Sequence, residues 1–267
     1  MARIAVAATA PFGADVLERL AAHHDVACLL TRPDAPQGRG RRVAPPPAKV
    51  VAGRLGIPVL QPERPQSPLE LEAATVVVCA YGLLVPAELL AERDWLNVHP
   101  SLLPRWRGAA PVERAILAGD ELTGVTIHET VAELDAGPIA AQEAFSIAPD
   151  DDAGTLLVRA AEIAGRLLDG LLDDPVRALT PQPAEGVTYA EKIGPDDRRL
   201  DLRLPAVELV RRVRALAPHI GARAVLHGRP VTVWRARVGD DGSFEPVEVQ
   251  PDGGRRMEWS AWLRGLR

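Results

Sequence analysis

Residues 75–98 read TVVVCAYGLLVPAELLAERDWLNV. Residues 75–80 are a short apolar run, 86–93 a proline-led helical stretch, and 95–98 a second apolar run. Two buried strands joined by a short helix form a βαβ unit, and repetition of that unit builds a mostly parallel sheet. The alternation continues upstream. Residues 3–8 and 25–31 read as strands around an amphipathic helix at 14–22 that puts Leu17, Leu20 and Ala21 on one side. A helix is expected over 47–55, with Pro47 at its start and Gly56 after it, then a strand over 57–60. Downstream, 111–118 reads as a helix between Pro111 and Gly119. Residues 123–131 and 138–147 alternate with no helix between them, as an antiparallel pair closing the sheet would. Residues 154–172 form a long amphipathic helix, with Leu156, Leu157, Ala160, Ile163, Ala164, Leu167, Leu168 and Leu171 at helical spacing.

The pattern changes after that helix. Residues 173–195 are rich in Pro, Asp, Gly and Thr and read as a connection. A helix follows Pro205, and strands are expected at 222–226, 230–238 and 244–250. The turn at 239–243 (GDDGS) between the last two is a hairpin signal. The expected organisation is an α/β domain at 1–178, a linker at 179–195 and a small β domain at 196–267.

Composition narrows the function classes. The 267 residues are 47% hydrophobic and 25% charged, which is ordinary for a soluble globular chain and excludes disorder as the main state. The most apolar window, 73–87, is too short for a bilayer and is broken by Gly82 and Pro86. No signal peptide is read at the start, and Cys28 and Cys79 make no disulfide framework, so a reducing cytoplasm is expected. The net charge of −5 excludes a general polyanion binder. Charge is nonetheless uneven: Arg32, Arg39, Arg41, Arg42, Lys49 and Arg54 face only Asp34 in their stretch. Lysine occurs only at 49 and 192 and asparagine only at 97, a bias that suits a GC-rich genome.

Several polar residues could carry chemistry. Asn97 and His99 stand two apart at the end of a strand and so point the same way. In open α/β sheets the loops after such strand ends hold ligands. An asparagine amide offers two donors and an imidazole a donor or a proton shuttle. Taken alone, such a pair more often satisfies its own loop. Asp135 taken alone is a turn residue, and His128 a packed strand histidine. His23 and His24 suit a helix end. No His/Cys/carboxylate cluster has metal spacing, so no zinc is expected. Gly38-Arg39-Gly40 does not run from strand to helix as a dinucleotide fingerprint would, and there is no P-loop. The stretch 32–49 is long for a loop in a compact domain; it reads equally well as a solvated, Pro-stiffened loop or as a flexible basic arm for a polyanion.

Taken together, the stretches 33–49 (PDAPQGRGRRVAPPPAK), 78–86 (VCAYGLLVP), 97–116 (NVHPSLLPRWRGAAPVERAI), 124–137 (GVTIHETVAELDAG), 187–193 (VTYAEKI) and 228–238 (GRPVTVWRARV) resemble the methionyl-tRNA formyltransferases, within the folate-dependent formyltransferases. The resemblance implies a Rossmann-like, doubly wound sheet followed by an OB-like C-terminal domain. It implies an enzyme that transfers the formyl group of 10-formyltetrahydrofolate to the α-amine of methionyl initiator tRNA, without a metal. It implies catalysis by Asn97, His99 and Asp135. Folate contacts are implied at Ser101, Leu102, Leu103 and Pro104, with Tyr81, Gly82, Leu84 and Val85 walling the pterin pocket. Contacts to tRNA are implied at Arg39, Arg41, Arg42, Arg105 and Arg107. Initiator tRNA and folate would be the partners of a cytoplasmic, bacterial enzyme with no membrane association. The absence of an evident exposed apolar stripe points to a monomer.

The C-terminal domain departs from the family in being short, with a five-residue turn where relatives carry more strand. His128 is more reminiscent of relatives that formylate sugar amines or glycinamide ribonucleotide. Two alternatives therefore stand beside the first reading: a formyltransferase acting on a nucleotide-linked amino sugar, and a folate- or tRNA-binding relative without turnover.

Overall fold

The structure is a computed structural model, which describes residues 1–37, 40, 42–174 and 177–266. In chain order, β1 (Arg3–Ala8), α1 (Pro11–His23) and β2 (Asp25–Leu30) are followed by two short strands, β3 (Ala35–Gln37) and β4 (Arg42–Ala44). Next come α2 (Pro47–Leu55), β5 (Val59–Leu60), β6 (Thr75–Cys79), α3 (Ala87–Glu92) and β7 (Asp94–His99). Then β8 (Arg107–Gly108), α4 (Pro111–Ala118), β9 (Leu122–Glu129), β10 (Ile139–Ser146) and α5 (Ala153–Asp173) follow. The remainder is β11 (Tyr189–Ala190), α6 (Ala206–Leu216), β12 (Ala222–Leu226), β13 (Arg229–Val238), β14 (Phe244–Pro251), β15 (Met257–Glu258) and α7 (Trp259–Arg264).

Seven strands form one sheet in the order β10-β9-β7-β6-β1-β2-β5. The central pairs β5–β2, β2–β1, β1–β6 and β6–β7 are all parallel, and β9 runs antiparallel to β7. The chain winds outward from β1 through β2 to β5, then returns to β6 and β7 on the other side. The sheet is therefore doubly wound, with its reversal between β1 and β6, and ligands of such sheets bind at the carboxyl ends of the strands. The expected closing pair is β9 and β10, at one edge. The local signals act as expected in α2 and α4. Each starts on a proline, whose fixed φ suits a first helical turn, and each ends on a glycine in the left-handed region, Gly56 at φ 72° and Gly119 at φ 77°.

The chain divides into two compact units. The first comprises Met1–Arg107, Gly124–Ala144 and Val158–Thr188. Its core includes Ala5, Ala7, Cys28, Leu30, Val76, Val78, Leu89 and Trp95. The indole N–H of Trp95 donates to the Leu89 carbonyl at 2.8 Å, so this large ring is buried with its one donor satisfied.

Two segments of this unit differ from their sequence reading. The 32–49 stretch contains an antiparallel hairpin, β3 with β4, pairing Ala35 with Ala44 and Pro36 with Val43. Lys49 Nζ ties its base, donating to both Asp34 oxygens at 2.8 and 2.9 Å and to Gln61 Oε1 at 2.7 Å. Arg39 and Arg41 lie outside the described residues. The second segment is the expected linker. Thr180 exchanges backbone hydrogen bonds with Ile139 at 2.7 and 2.9 Å, and Thr188 N–H donates to the Pro104 carbonyl at 3.3 Å. Residues up to Thr188 thus belong to the first unit. A strap held by isolated hydrogen bonds has the same Pro, Gly and Thr content as a free connection, so composition does not separate the two.

The second unit comprises Gly108–Thr123, Phe145–Leu157 and Tyr189–Arg267. It holds a four-stranded sheet, β12-β13-β14-β15, with antiparallel neighbours throughout. Leu209, Val213 and Leu216 of α6 pack with Val231, Val233, Val249 and Trp262. The 239–243 turn closes as its sequence implies, with Gly239 N–H donating to the Ser243 carbonyl at 2.8 Å. The short strand β15 and the final helix α7 extend this unit beyond the three strands read from sequence.

Candidate active site

The strand register assembles the site. In the antiparallel pair β7–β9, Asn97 stands opposite His128 and His99 opposite Thr126. Residues directly opposite share a face of the sheet, and so do residues two apart on one strand. Asn97, His99, Thr126 and His128 are therefore presented together. The turn after β9 then brings in Asp135, 38 positions from Asn97 in sequence.

The distances are short. Asn97 Nδ2 lies 3.0 Å from His128 Nε2 and donates to Asp135 Oδ1 at 3.2 Å. His99 Nδ1 and His128 Nε2 are each 3.6 Å from an Asp135 oxygen. The side chains of His99, His128 and Asp135 are 5%, 2% and 11% exposed, so these interactions are little screened.

The carbonyl partners of the rings decide their tautomers. His99 Nε2 lies 2.8 Å from the Trp106 carbonyl and His128 Nδ1 2.8 Å from the Glu129 carbonyl. A carbonyl only accepts, so each of these nitrogens carries its hydrogen. The opposite nitrogen of a neutral ring is then bare. His128 Nε2 accepts from Asn97, and His99 Nδ1 faces Asp135. Burial pulls the His99 imidazole below its ordinary pKa, while Asp135 and the Trp106 carbonyl pull less strongly in the other direction. His99 is thus a neutral ring with an open acceptor beside a carboxylate.

Backbone geometry holds the set in place. Asp135 adopts φ 48° and Trp106 φ 66°, left-handed conformations that cost energy in residues other than glycine. Gly137 follows because space allows nothing larger: a Cβ there would overlap the Glu129 carbonyl.

The loop after β7 is bonded to itself. Ser101 is fully buried, and its hydroxyl donates to the Arg105 carbonyl at 2.7 Å. Its N–H donates to the His99 carbonyl, and its own carbonyl accepts from Thr126 Oγ1 at 2.7 Å. Leu103 is buried as well, its N–H on Thr126 Oγ1 and its carbonyl accepting from Gln142. Ser101 and Leu103 therefore shape the loop from within, whereas Leu102 and Pro104 are half-buried and keep a surface for a ligand.

Other expected contacts sort in the same way. The Tyr81 ring belongs to the core of the first unit, where burial pushes its phenol up to about 12. Val85 packs in that core too, while Gly82 and Leu84 are exposed, Leu84 at 83%. Arg42 and Arg105 are exposed, and the Arg105 guanidinium sits 4.4 Å from the centre of the Trp106 ring. Arg107 departs from the expected tRNA contact. Its side chain is 8% exposed, and its guanidinium is taken up by Gln182 and Glu133.

The sequence reading gives His128, taken alone, as a packed strand histidine and does not single out Gln182; the structure brings them into and behind the site. No local signal placed His128 opposite Asn97, because the register of β9 against β7 is set across the sheet. Gln182 carried none, because it lies in the stretch read as a linker. A cavity of about 420 Å³ lies beyond the ends of β1 and β2, lined by residues that include Thr9, Arg32, Asp34, Pro46, Glu63 and Leu83. Asn97, His99 and Asp135 are not among its lining residues. Among the described residues, no group of three His, Cys, Asp or Glu could hold a metal ion, and no helix is long and apolar enough to cross a membrane.

Two family profiles match the chain. Residues 2–170 match the family profile described as "Formyl transferase", and residues 192–246 match "Formyl transferase, C-terminal domain". The methionyl-tRNA formyltransferase of Acidothermus cellulolyticus is 41% identical, over 93% of this chain and 92% of that protein. That of Frankia alni is 40% identical, over 91% and 85%. Among solved structures, the methionyl-tRNA formyltransferase from Clostridium thermocellum shares the fold with a TM-score of 0.67 at 13% identity, covering 97% of this chain and all of that one. An N-formyltransferase from Helicobacter canadensis, solved with folinic acid and dTDP-3-aminofucose, has a TM-score of 0.68 at 17% identity, covering 90% and 89%.

Proposed function

The chain belongs to the formyl transferase family, and on that premise we propose that it transfers the formyl group of 10-formyltetrahydrofolate to the α-amine of methionyl initiator tRNA. The observation that carries this reading is the convergence of Asn97, His99 and Asp135 at the end of β7, with His99 neutral and its Nδ1 open. Identities of about 40% to methionyl-tRNA formyltransferases over most of the chain support the acceptor.

The chemistry is an acyl transfer between nitrogens. The free amine attacks the formyl carbon, a C–N bond forms, and the carbonyl electrons move to oxygen. The attacking nitrogen is then positively charged and must lose a proton. His99 Nδ1 takes that proton, and the resulting imidazolium is paired with Asp135 while Nε2–H stays on the Trp106 carbonyl. The same proton passes to N10 of the folate. The C–N10 bond breaks, the C=O bond reforms, and formylmethionyl-tRNA and tetrahydrofolate leave. The oxyanion needs a donor. Asn97 supplies one when its amide exchanges a present acceptor, the Asp135 oxygen at 3.2 Å being the longer of the two.

The exposed Arg42 and Arg105, with Arg39 and Arg41 in the same basic arm, are proposed to meet the acceptor stem. Leu102 and Pro104 are proposed to border the folate. The chemistry is proposed to belong to the unit that carries Asn97, His99 and Asp135, with an OB-like domain at 196–267 that adds tRNA surface. The protein would act in the cytoplasm.

One observation favours a second acceptor, a nucleotide-linked amino sugar: His128 sits within the site, on the Asn97 amide. The deciding assay is formyl transfer from 10-formyltetrahydrofolate to methionyl initiator tRNA, with Asn97→Ala as the matched control. Transfer by the wild type and its loss in the control support the proposal. A folded, folate-binding wild type that formylates an amino sugar and not the tRNA overturns it.

A further inference from the structure

We infer that Gln182, with Arg107 behind it, is a positioning residue that locks the Asp135 turn to the His99 anchor. Gln182 Nε2 donates to the carbonyls of Asp135 at 2.7 Å and Gly137 at 2.8 Å. Its Oε1 accepts from Arg107 Nη2 at 2.8 Å and Nε at 3.2 Å. One amide therefore spends both hydrogens on the turn and its oxygen on the guanidinium, the full use of its donors and acceptor.

Arg107 is the residue after Trp106, whose carbonyl accepts from His99 Nε2 at 2.8 Å. Its backbone N–H donates to the Thr188 carbonyl at 2.9 Å, and Trp106 N–H donates to Thr188 Oγ1 at 2.9 Å. The strap carrying Gln182 and Thr188 thus grips both sides of the site. At one end it fixes the carbonyl that orients His99, and at the other the turn that carries Asp135. Residue 135 needs this grip because its φ of 48° is one that an aspartate holds only when its surroundings impose it.

The separation at stake is the 3.6 Å between His99 Nδ1 and Asp135 Oδ2. Proton transfer depends steeply on such distances, and a displacement of about 1 Å can cost on the order of 100-fold in rate. Releasing the turn leaves the substrate surfaces in place and loosens the pair that handles the proton. The effect belongs in kcat, with little in the KM for folate.

The inference rests on the acyl-transfer reading above, so its test has one readout that needs no acceptor. Gln182→Met keeps the length of the side chain and removes all four hydrogen bonds. Gln182→Glu keeps an acceptor for Arg107 and removes the donors to the turn, and it serves if the methionine variant does not fold. Both variants are expected to lose roughly 10-fold or more in kcat, with the KM for 10-formyltetrahydrofolate within about 2-fold of wild type. Arg107→Met is expected to behave similarly, and the Arg107/Gln182 double variant to be little worse than either single one. In the acceptor-free readout, the NMR titration of the His99 ring should move to lower pH in the glutamine variants, because the carboxylate that favours its charged form has drifted away. Variants that fold, turn over within 3-fold of wild type and leave the His99 titration unmoved overturn the inference. A wild type inactive on methionyl-tRNA overturns the acceptor and leaves the titration result to decide the brace.

Discussion

His99 Nδ1 lies 3.6 Å from Asp135 Oδ2, while the same ring holds its other hydrogen on the Trp106 carbonyl 2.8 Å away. The ring is buried, and burial outweighs Asp135 in setting its protonation. It stays neutral until the pH falls below the ordinary histidine value of about 6.5. By NMR, the His99 ring should therefore titrate below that of an unfolded control. Asp135→Asn removes a group that raises this pKa and should push the titration lower still. The sign for stability follows: below about pH 6.5 the unfolded chain takes up a proton that the native ring resists, so His99 destabilises the fold as pH falls through that window. Urea midpoints that do not respond to His99→Gln between pH 7 and 5 would count against this account.

Asn97→Ala removes an amide that touches both His128 and Asp135. Loss of an oxyanion donor typically costs about 100-fold or more in kcat, and that is the expected loss here. His128→Leu leaves the donor and removes its acceptor, so a smaller loss, about 10-fold, is expected. Single-turnover kinetics separate the two, and equal losses would mean that His128 itself takes part in the chemistry.

Gly137→Ala forces a methyl group onto the Glu129 carbonyl, which belongs to backbone and cannot swing aside. The turn must shift, and with it Asp135. A stability loss of about 2 kcal/mol or more is expected in chemical denaturation, a magnitude usual for enforced overpacking. A variant with wild-type stability and activity would show that the turn has slack.

Ser101→Ala tests the inward role of the loop after β7. Its hydroxyl is spent on the Arg105 carbonyl, so the variant should lose about 1–3 kcal/mol of stability. Folate affinity, measured by fluorescence quenching, should stay within about 2-fold, since no Ser101 group faces outward. A selective loss of folate binding without a loss of stability would restore Ser101 as a contact.

Arg42 and Arg107 should part company. Arg42→Ala leaves a surface residue missing and should weaken tRNA binding, lowering the slope of log K against log salt by about 1 if one phosphate contact is lost. Its denaturation curve should match the wild type. Arg107→Ala strips Gln182 of its partner and should cost about 1–3 kcal/mol in stability, as leaving a buried acceptor unsatisfied does. The salt slope of its folded fraction should be unchanged. The reverse pattern would return Arg107 to the tRNA surface.

The βαβ rhythm, the antiparallel closing pair, the helix limits at Pro47, Gly56, Pro111 and Gly119, and the 239–243 turn were all determined by the sequence alone. These are local events: apolar period, proline φ and glycine's left-handed freedom act over a few residues and are written in adjacent positions. That Asn97 and His99 stand together at a strand end was legible for the same reason. Only the tertiary structure decided that His128 stands opposite Asn97, because register depends on how two strands pair across the sheet. It alone decided which arginine is spent inside, Arg105 and Arg107 being neighbours of the same type with opposite exposure. It also made a supposed linker into the strap that carries Gln182. Polar contacts between distant residues set these roles, and a side chain's hydrogen-bonding partners across 45 or 75 positions leave no period or composition in the chain to be read.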